Sequence, residues 1–501
     1  MPASGFRTPR ASGLVPRALS DFMESSRNPR LGSPTEPVEQ ALYEIRQKIY
    51  PRAVTGKFVA WRWFFVWATQ LVFYGMPWLS WNGRQAVLFD LVHRKFYIFG
   101  LVFWPQDIVY LTVLLIISAY SLFLFTAVAG RLWCGFACPQ TVYTEIFLWI
   151  ERMIEGERPK RMQLDQSPLS ARKVGIKAAK HAAWIALGLW TGFTFVGYFT
   201  PIHTLAGEVT GLGLGPWETF WILFYGFATY GNAGWMREQV CKHMCPYARF
   251  QSVMFDQDTL VITYDGERGE PRGGRSKSAD HKAKGLGDCV DCGICVQVCP
   301  TGIDIRKGLQ YECIGCAACI DGCNQVMDKV GYPRGLIRYT TDNAIKKHLS
   351  PTEMLRRVFR PRVLIYTGIL WVIIIAAGIT LYQRVPVKVD VIRDRISSSR
   401  DADEAEIENV YRLQIMNTSE VPRRFLISVG GIDGMEIKGL EREGGRHAVE
   451  IGPASSRMIP VRIEAARDRV HKGANAIVFT VQSVGEGEPI VITEKASFVV
   501  Q

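Results

Sequence analysis

Eight of the chain's twelve cysteines fall in one short run, CVDCGICVQVCPTGIDIRKGLQYECIGCAACIDGC. Cys289, Cys292, Cys295 and Cys299 form one set and Cys313, Cys316, Cys319 and Cys323 a second, each spaced C-x-x-C-x-x-C-x-x-x-C. This is the spacing of bacterial two-cluster ferredoxins, in which the fourth cysteine of each run ligates the other cluster. A [4Fe–4S] cubane needs four thiolates converging on its corners, and three cysteines at two-residue gaps wrap three irons. The expected ligand sets are therefore Cys289, Cys292 and Cys295 with Cys323, and Cys313, Cys316 and Cys319 with Cys299. Gly293, Gly315, Ala317 and Ala318 are small enough to let the backbone pass close to the clusters. Zinc is the plain alternative for any C-x-x-C pair, but it gains nothing from two interlocked sets of three plus one. One departure is that Cys323 is followed by Asn324 where the ferredoxin run usually has proline. Two [4Fe–4S] clusters side by side make a short one-electron wire.

The other four cysteines form two C-x-x-x-C-P pairs, Cys134 and Cys138 in RLWCGFACPQ and Cys241 and Cys245 in QVCKHMCPYARF. If a helix runs through each pair, the i and i+4 thiols share one face, and the proline ends the helix there. Two such dithiols at two helix ends could converge on one site. Soft thiolates suit Cu(I), zinc or an iron–sulfur cluster, and His243 is a further candidate ligand beside Met244. Inert packing and a metal-free redox dithiol are the competing readings. His181 and His203 read as ordinary interface residues.

These motifs need elements to hold them. A membrane-spanning helix takes about 20 mostly apolar residues, and five runs qualify: 58–80, 107–130, 178–200, 217–236 and 362–382. The fourth is also compatible with a buried helix of a soluble protein. Trp61, Trp63, Trp78 and Trp81 sit near the ends of the first run, where aromatic belts form. Arg46, Lys48, Arg52 and Lys57 precede that run, and Arg131, Arg152, Arg158, Lys160, Arg161, Arg172 and Lys173 follow the second; the loop PIHTLAGEVTGLGLG after the third has no Lys or Arg. The positive-inside bias then puts the N-terminus, both C-x-x-x-C loops and the eight-cysteine run in the cytoplasm.

The 501 residues carry 59 Lys+Arg against 47 Asp+Glu, a net charge of +12. Because the basic residues flank apolar runs, the charge points to a membrane surface and away from nucleic acid. The last 178 residues have no cysteine, which argues against a disulfide framework. Residues 1–57 lack the apolar core of a signal peptide, and about 1–40 read as a disordered tail. Segments such as VYRLQIMN, MIPVRIEA and NAIVFTVQSV alternate apolar and polar residues between turn signals at Asn417, Gly430–Gly431, Gly444–Gly445 and Gly485. They suggest a β-sandwich that docks or supports. The expected order is a cytoplasmic tail (1–57), a helical transmembrane region with both C-x-x-x-C-P pairs (58–250), a cytoplasmic two-cluster ferredoxin segment (251–361), a fifth span (362–382) and a periplasmic immunoglobulin-like sandwich (383–501).

With QKIYPRAVTGKF, WCGFACPQTVYTE, CKHMCPYARFQSVM, the eight-cysteine run and such a tail, the sequence resembles the cytochrome c oxidase accessory protein family, called CcoG, FixG or RdxA. The resemblance covers nearly the whole chain from about residue 40. It implies a bacterial inner-membrane protein engaged in assembly of the cbb-type oxidase, reducing Cu(II) to Cu(I). It implies partners of three kinds: a cytoplasmic electron donor, a copper transporter or chaperone, and oxidase assembly components. The C-x-x-x-C-P pairs also look like the copper motif of Sco-type chaperones. Cys134, Cys138, Cys241 and Cys245, with His243, would then be the copper-handling residues. Two other classes fit the same residues: a quinol-linked conduit resembling the polyferredoxin subunits of nitrate and nitrous-oxide respiration, and a redox-sensing assembly scaffold.

Overall fold

The computed structural model describes residues 48–275, 283, 285–394, 400–403, 406–440, 442–443, 446–484 and 489–500. The tail expected at about 1–40 and the turns expected at Gly444–Gly445 and Gly485 lie outside these. Tyr50–Gln501 form one unit.

The first apolar run becomes α1 (Lys57–Gly75), which stops earlier than the expected span and gives way to a 3-10 turn at Met76–Trp78. A three-stranded antiparallel sheet follows, β1 (Val87–Asp90), β2 (Lys95–Ile98) and β3 (Leu101–Phe103). The second run becomes α2 (Ile108–Ala129), succeeded by a short α3 (Leu132–Phe136) and by α4 (Pro139–Glu155). The third is the long α5 (Ala171–Val196), and the fourth is α6 (Pro216–Thr229) with a π-helical extension at Tyr230–Met236. A second π-turn, Val240–Met244, leads into α7 (Pro246–Met254). The cluster segment holds the one-turn α8 (Ile294–Gln297) and α9 (Ala318–Val330), and α10 (Pro361–Tyr382) is the fifth run.

Among the described residues, Pro105–Ala129 and Pro361–Tyr382 are long and apolar enough to cross a membrane. α1 and α5 carry charged groups that cut their apolar windows, and α6, at 14 residues, is short. α1 buries Arg62 against Glu145 at 2.5 Å. α5 carries Lys177 and Lys180, which meet Glu155 of α4 at 2.8 and 2.9 Å. These pairs let charges sit inside a helical bundle. α5 and α6 cross closely because Gly188, Gly192 and Gly226 lie at the crossing: a Cβ on Gly192 would fall 2.2 Å from the Ile222 carbonyl oxygen. Small residues permit such backbone approach. On α2 and α10 the outward side chains, such as Leu114, Leu115, Ile365 and Ile375, are exposed apolar groups.

β4 (Val261–Tyr264) and β5 (Ile337–Thr340) pair antiparallel across the two ends of the cluster segment, Val261 opposite Thr340 and Tyr264 opposite Ile337. Beyond α10 lie β6 (Val387–Arg393), β7 (Glu406–Asn417), β8 (Arg423–Gly430), β9 (Glu436–Lys438), β10 (Arg446–Ile451), β11 (Ser455–Ala466), β12 (Gly473–Val484) and β13 (Val491–Val500). They form two antiparallel sheets in the orders β9-β11-β7-β6 and β10-β8-β12-β13. Tyr411, Leu413, Phe425, Val461, Phe479 and Phe498 are fully buried in the core of this C-terminal region. Their alternation with exposed neighbours is the pattern that the sequence shows. Arg384 and Lys388 both bind Asp107, which anchors the start of this region to the turn before α2.

Candidate iron–sulfur and dithiol centre

The two cysteine runs fold alike. Gly293 and Ala317 each follow a C-x-x-C, each adopt left-handed backbone (φ 64, ψ 9 and φ 58, ψ 10), and each open a helix. Glycine takes that conformation without cost, whereas alanine pays roughly 1–2 kcal/mol. The shared turn folds each run back on itself, so that its cysteines can face inward.

The thiols pair as interlocked sets. Cys323 has Cys295, Cys289 and Cys292 as its electrostatic neighbours. Cys313, Cys316 and Cys319 each have Cys299 as theirs. Cys299, Cys313, Cys316 and Cys319 also line one small cavity with Cys295 of the other set, walled by Ile262, Ile305 and Ile314. Burial pushes the Cys313 and Cys323 thiols up to about 12 and Cys295 up to about 11. Thiolates in so dry a place need a strongly charged partner. Eight thiols in two interlocked sets, held in so dry a place, fit the ligand pattern of two [4Fe–4S] clusters.

The two C-x-x-x-C-P pairs come together as well. Cys134 neighbours Cys138 and Cys245, and Cys241 neighbours Cys138, Cys134 and Cys245. The route to this differs from the expected continuous helices. α2 ends at Ala129 because Gly130 turns the chain at φ 56, and Cys134 sits on the separate α3. Cys241 sits in a π-turn. Cys138 and Cys245 are both extended, at ψ 129 and 108, and stand directly before helices that begin at Pro139 and Pro246. The prolines thus end one element and start the next: they force the preceding residue out of the helical region and suit the first helical position. Cys138 consequently receives backbone N–H bonds from Gln140 and Thr141, which favour its thiolate, although burial still raises its thiol on balance. Burial raises Cys134 to about 11 and Cys241 to about 12. His243 and Met244 are exposed.

Four residues that the sequence did not single out hold this centre. Gln251 is fully buried; its Oε1 accepts from the Cys134 thiol at 3.5 Å and its Nε2 donates to Thr126 at 3.3 Å. Arg131 donates to the Ala248 carbonyl and lies electrostatically beside Cys313. Arg62 lies beside Cys316. Asp321, between Cys319 and Cys323, accepts the Val59 N–H at 2.9 Å, so a carboxylate from the cluster helix caps α1. Gly56 is required there, since a Cβ would fall 2.3 Å from the Asp321 carboxyl carbon. The dithiol loop and the second cluster loop touch backbone to backbone. A Cβ on Gly135 would fall 2.6 Å from the Gly315 oxygen and 2.8 Å from the Cys316 Cα.

With this geometry in view, the relatives can be placed. The nitrogen fixation protein FixG of Rhizobium meliloti is 38% identical over 85% of this chain and 87% of its own length. The chain belongs to the FixG/RdxA family. Protein RdxA of Cereibacter sphaeroides is 38% identical over 79% of this chain and 85% of its own. Residues 236–342 match a 4Fe-4S dicluster domain, 111–156 a 4Fe-4S binding domain, and 377–501 an IG-like fold at the C-terminal of FixG. A FixG-related protein from Vibrio parahaemolyticus of known structure is 20% identical, covering 22% of this chain and 95% of its own, at a TM-score of 0.19. This FixG/RdxA relative is thus an iron–sulfur protein of electron transfer, with two helices apolar and long enough to cross a membrane.

Proposed function

We propose that this protein is an inner-membrane relay that delivers single electrons to Cu(II) at its dithiol centre and releases Cu(I) for assembly of a cbb-type cytochrome c oxidase. The observation that carries the reading is the backbone contact of Gly135 with Gly315 and Cys316, which sets the four convergent thiols of Cys134, Cys138, Cys241 and Cys245 against the second cluster loop. Bound clusters supply one-electron carriage. The chain's own part is to present soft sulfur donors that hold Cu(I) in preference to harder ions, so ligand choice and electron supply favour the same product. Each Cu(II) takes up one electron to become Cu(I).

In this reading a cytoplasmic donor delivers electrons on the side of Cys292, the exposed member of its set. A copper transporter or chaperone takes the product. All five helices that follow apolar runs lie in the membrane, with Arg62 of α1 and Lys180 of α5 turned into the bundle. The cysteine segments face the cytoplasm and the C-terminal sandwich faces the periplasm, where it docks oxidase assembly components. His243, being exposed, serves at most as a transient ligand on the way in or out.

The test is to give dithionite-reduced protein Cu(II) under anaerobic conditions and trap Cu(I) with a colorimetric chelator. Wild type should generate Cu(I), and a variant with Ser at both Cys134 and Cys138 should fall to the level of cluster-free protein. Equal yields from the variant and the wild type would reject the dithiol centre as the place of reduction.

A further inference from the structure

A cavity of about 630 Å³ opens between α1, α4 and the cluster segment, and none of the copper-handling residues lines it. Its size suits a small-molecule ligand. Three features define its chemistry. One side is aromatic: Trp63, Trp67 and Trp149 line it, and Trp67 and Trp149 are exposed at its rim. Polar groups reach its interior: the Arg62–Glu145 ion pair, Arg152, Arg161 and Gln70, whose buried Oε1 has no hydrogen-bond partner among the described residues. The floor is the cluster segment itself, through Val298, Pro300 and Ala318, the chain neighbours of Cys299 and Cys319.

We propose that this cavity binds the head group of a lipid-soluble quinone, giving the relay a second electron entry beside its second cluster. A planar ring with two carbonyl or hydroxyl oxygens matches aromatic walls with polar groups at the inner end. Arg62 can donate to a quinone oxygen, and the Gln70 oxygen can accept from a quinol hydroxyl. Trp67 and Trp149 border the exposed apolar surface of α1, where an isoprenoid tail can leave toward lipid. A soluble donor would not need that aromatic mouth, and a phospholipid tail would leave Gln70 unsatisfied. The electron count closes: one quinol yields one quinone, two electrons and two protons, two clusters take one electron each, and the protons pass to water at the polar rim formed by Arg52 and Thr55. The inference rests on the relay reading of the ferredoxin segment but not on copper being the acceptor.

The experiment uses the full-length, cluster-loaded protein in detergent, with a photoreactive azidoquinone as label and decylubiquinone as competitor. Label should appear in peptides from 57–75 and 139–155 and be lost on competition. Ile146→Phe, which fills the cavity from α4, should reduce labelling by at least about tenfold, with iron content and the dithionite-reduced spectrum unchanged. Gln70→Leu, which removes one hydrogen bond without filling space, should weaken competition about fivefold. Decylubiquinol should bleach the clusters' visible absorption in wild type and do so at least about tenfold more slowly in Ile146→Phe. Should Ile146→Phe lose iron, Leu187→Phe fills the same cavity from α5 and gives the same readings. Label elsewhere, equal labelling of the filled variants, or a co-purified phospholipid that decylubiquinone does not displace would overturn the proposal. Cu(II) reduction driven by dithionite bypasses the cavity, so the copper reading stands or falls separately.

Discussion

The two cysteine runs share one spacing and one turn but meet different surroundings. The set closed by Cys323 keeps one member, Cys292, in solvent, and an ion-paired Arg306 lies beside Cys295. The set closed by Cys299 has no exposed member, and two arginines from the helical region, Arg62 and Arg131, face its thiols. Cluster potential follows local charge, hydrogen bonding and exposure. Identical ligand spacing therefore yields two unlike sites, one accessible from solvent and one built into the junction with the helices. A relay with distinct ends needs that inequality.

The sharpest way to break the comparison is to remove one ligand from each set. Cys316→Ser should cost about half of the iron and sharply lower the amount of folded protein, because a buried thiolate site is lost where α1, α3 and the cluster segment meet. Cys292→Ser should lose iron while leaving that junction folded. Iron analysis beside a protease-resistance assay separates the two, and equal damage from both would refute the contrast. Next in size is Gly135→Ala. The new methyl pushes the dithiol loop off Gly315, so dithionite-driven Cu(I) formation should fall by about tenfold or more with both clusters retained. Asp321→Ala removes the cap of α1 and should cost roughly 1–2 kcal/mol, seen as a lower melting temperature in detergent; Asp321→Asn, which can still accept, should cost less. The smallest effect is a proton count. Burial pushes Cys134 up to about 11 and Cys241 up to about 12, so both are thiols at pH 7, and Cu(I) binding must displace their protons. Raising the pH toward 11 increases the thiolate fraction, so iodoacetamide labelling should quicken by about tenfold per unit over that range, and proton release on Cu(I) binding should shrink.

Much of the site was legible. The C-x-x-C periodicity marks the dicluster domain over 236–342, and the expected sharing of Cys299 and Cys323 rests on a cubane accepting four thiolates where each run wraps only three corners. The sandwich was legible because its strands obey a strict two-residue alternation. What escaped reading depended on contacts between distant residues. Gly130 breaks the helix before Cys134, yet nothing local separates it from a tolerated helical glycine. The β1–β3 sheet lies in a stretch whose aromatics resemble the end of a membrane helix. Asp321 and Gln251 are ordinary polar residues until α1 and α3 are brought against them. The charges of α5 lower its apparent hydropathy, and only its packing reveals that Glu155 and Asp165 together balance Lys177 and Lys180.

The pairing of β4 with β5 brings the two ends of the ferredoxin segment side by side, for the chain enters and leaves it through adjacent strands. The loops between those ends are held a second time, where Asp321 takes the Val59 N–H and Gly315 meets Gly135. Filling or emptying the clusters therefore takes place within a loop whose two ends stay joined.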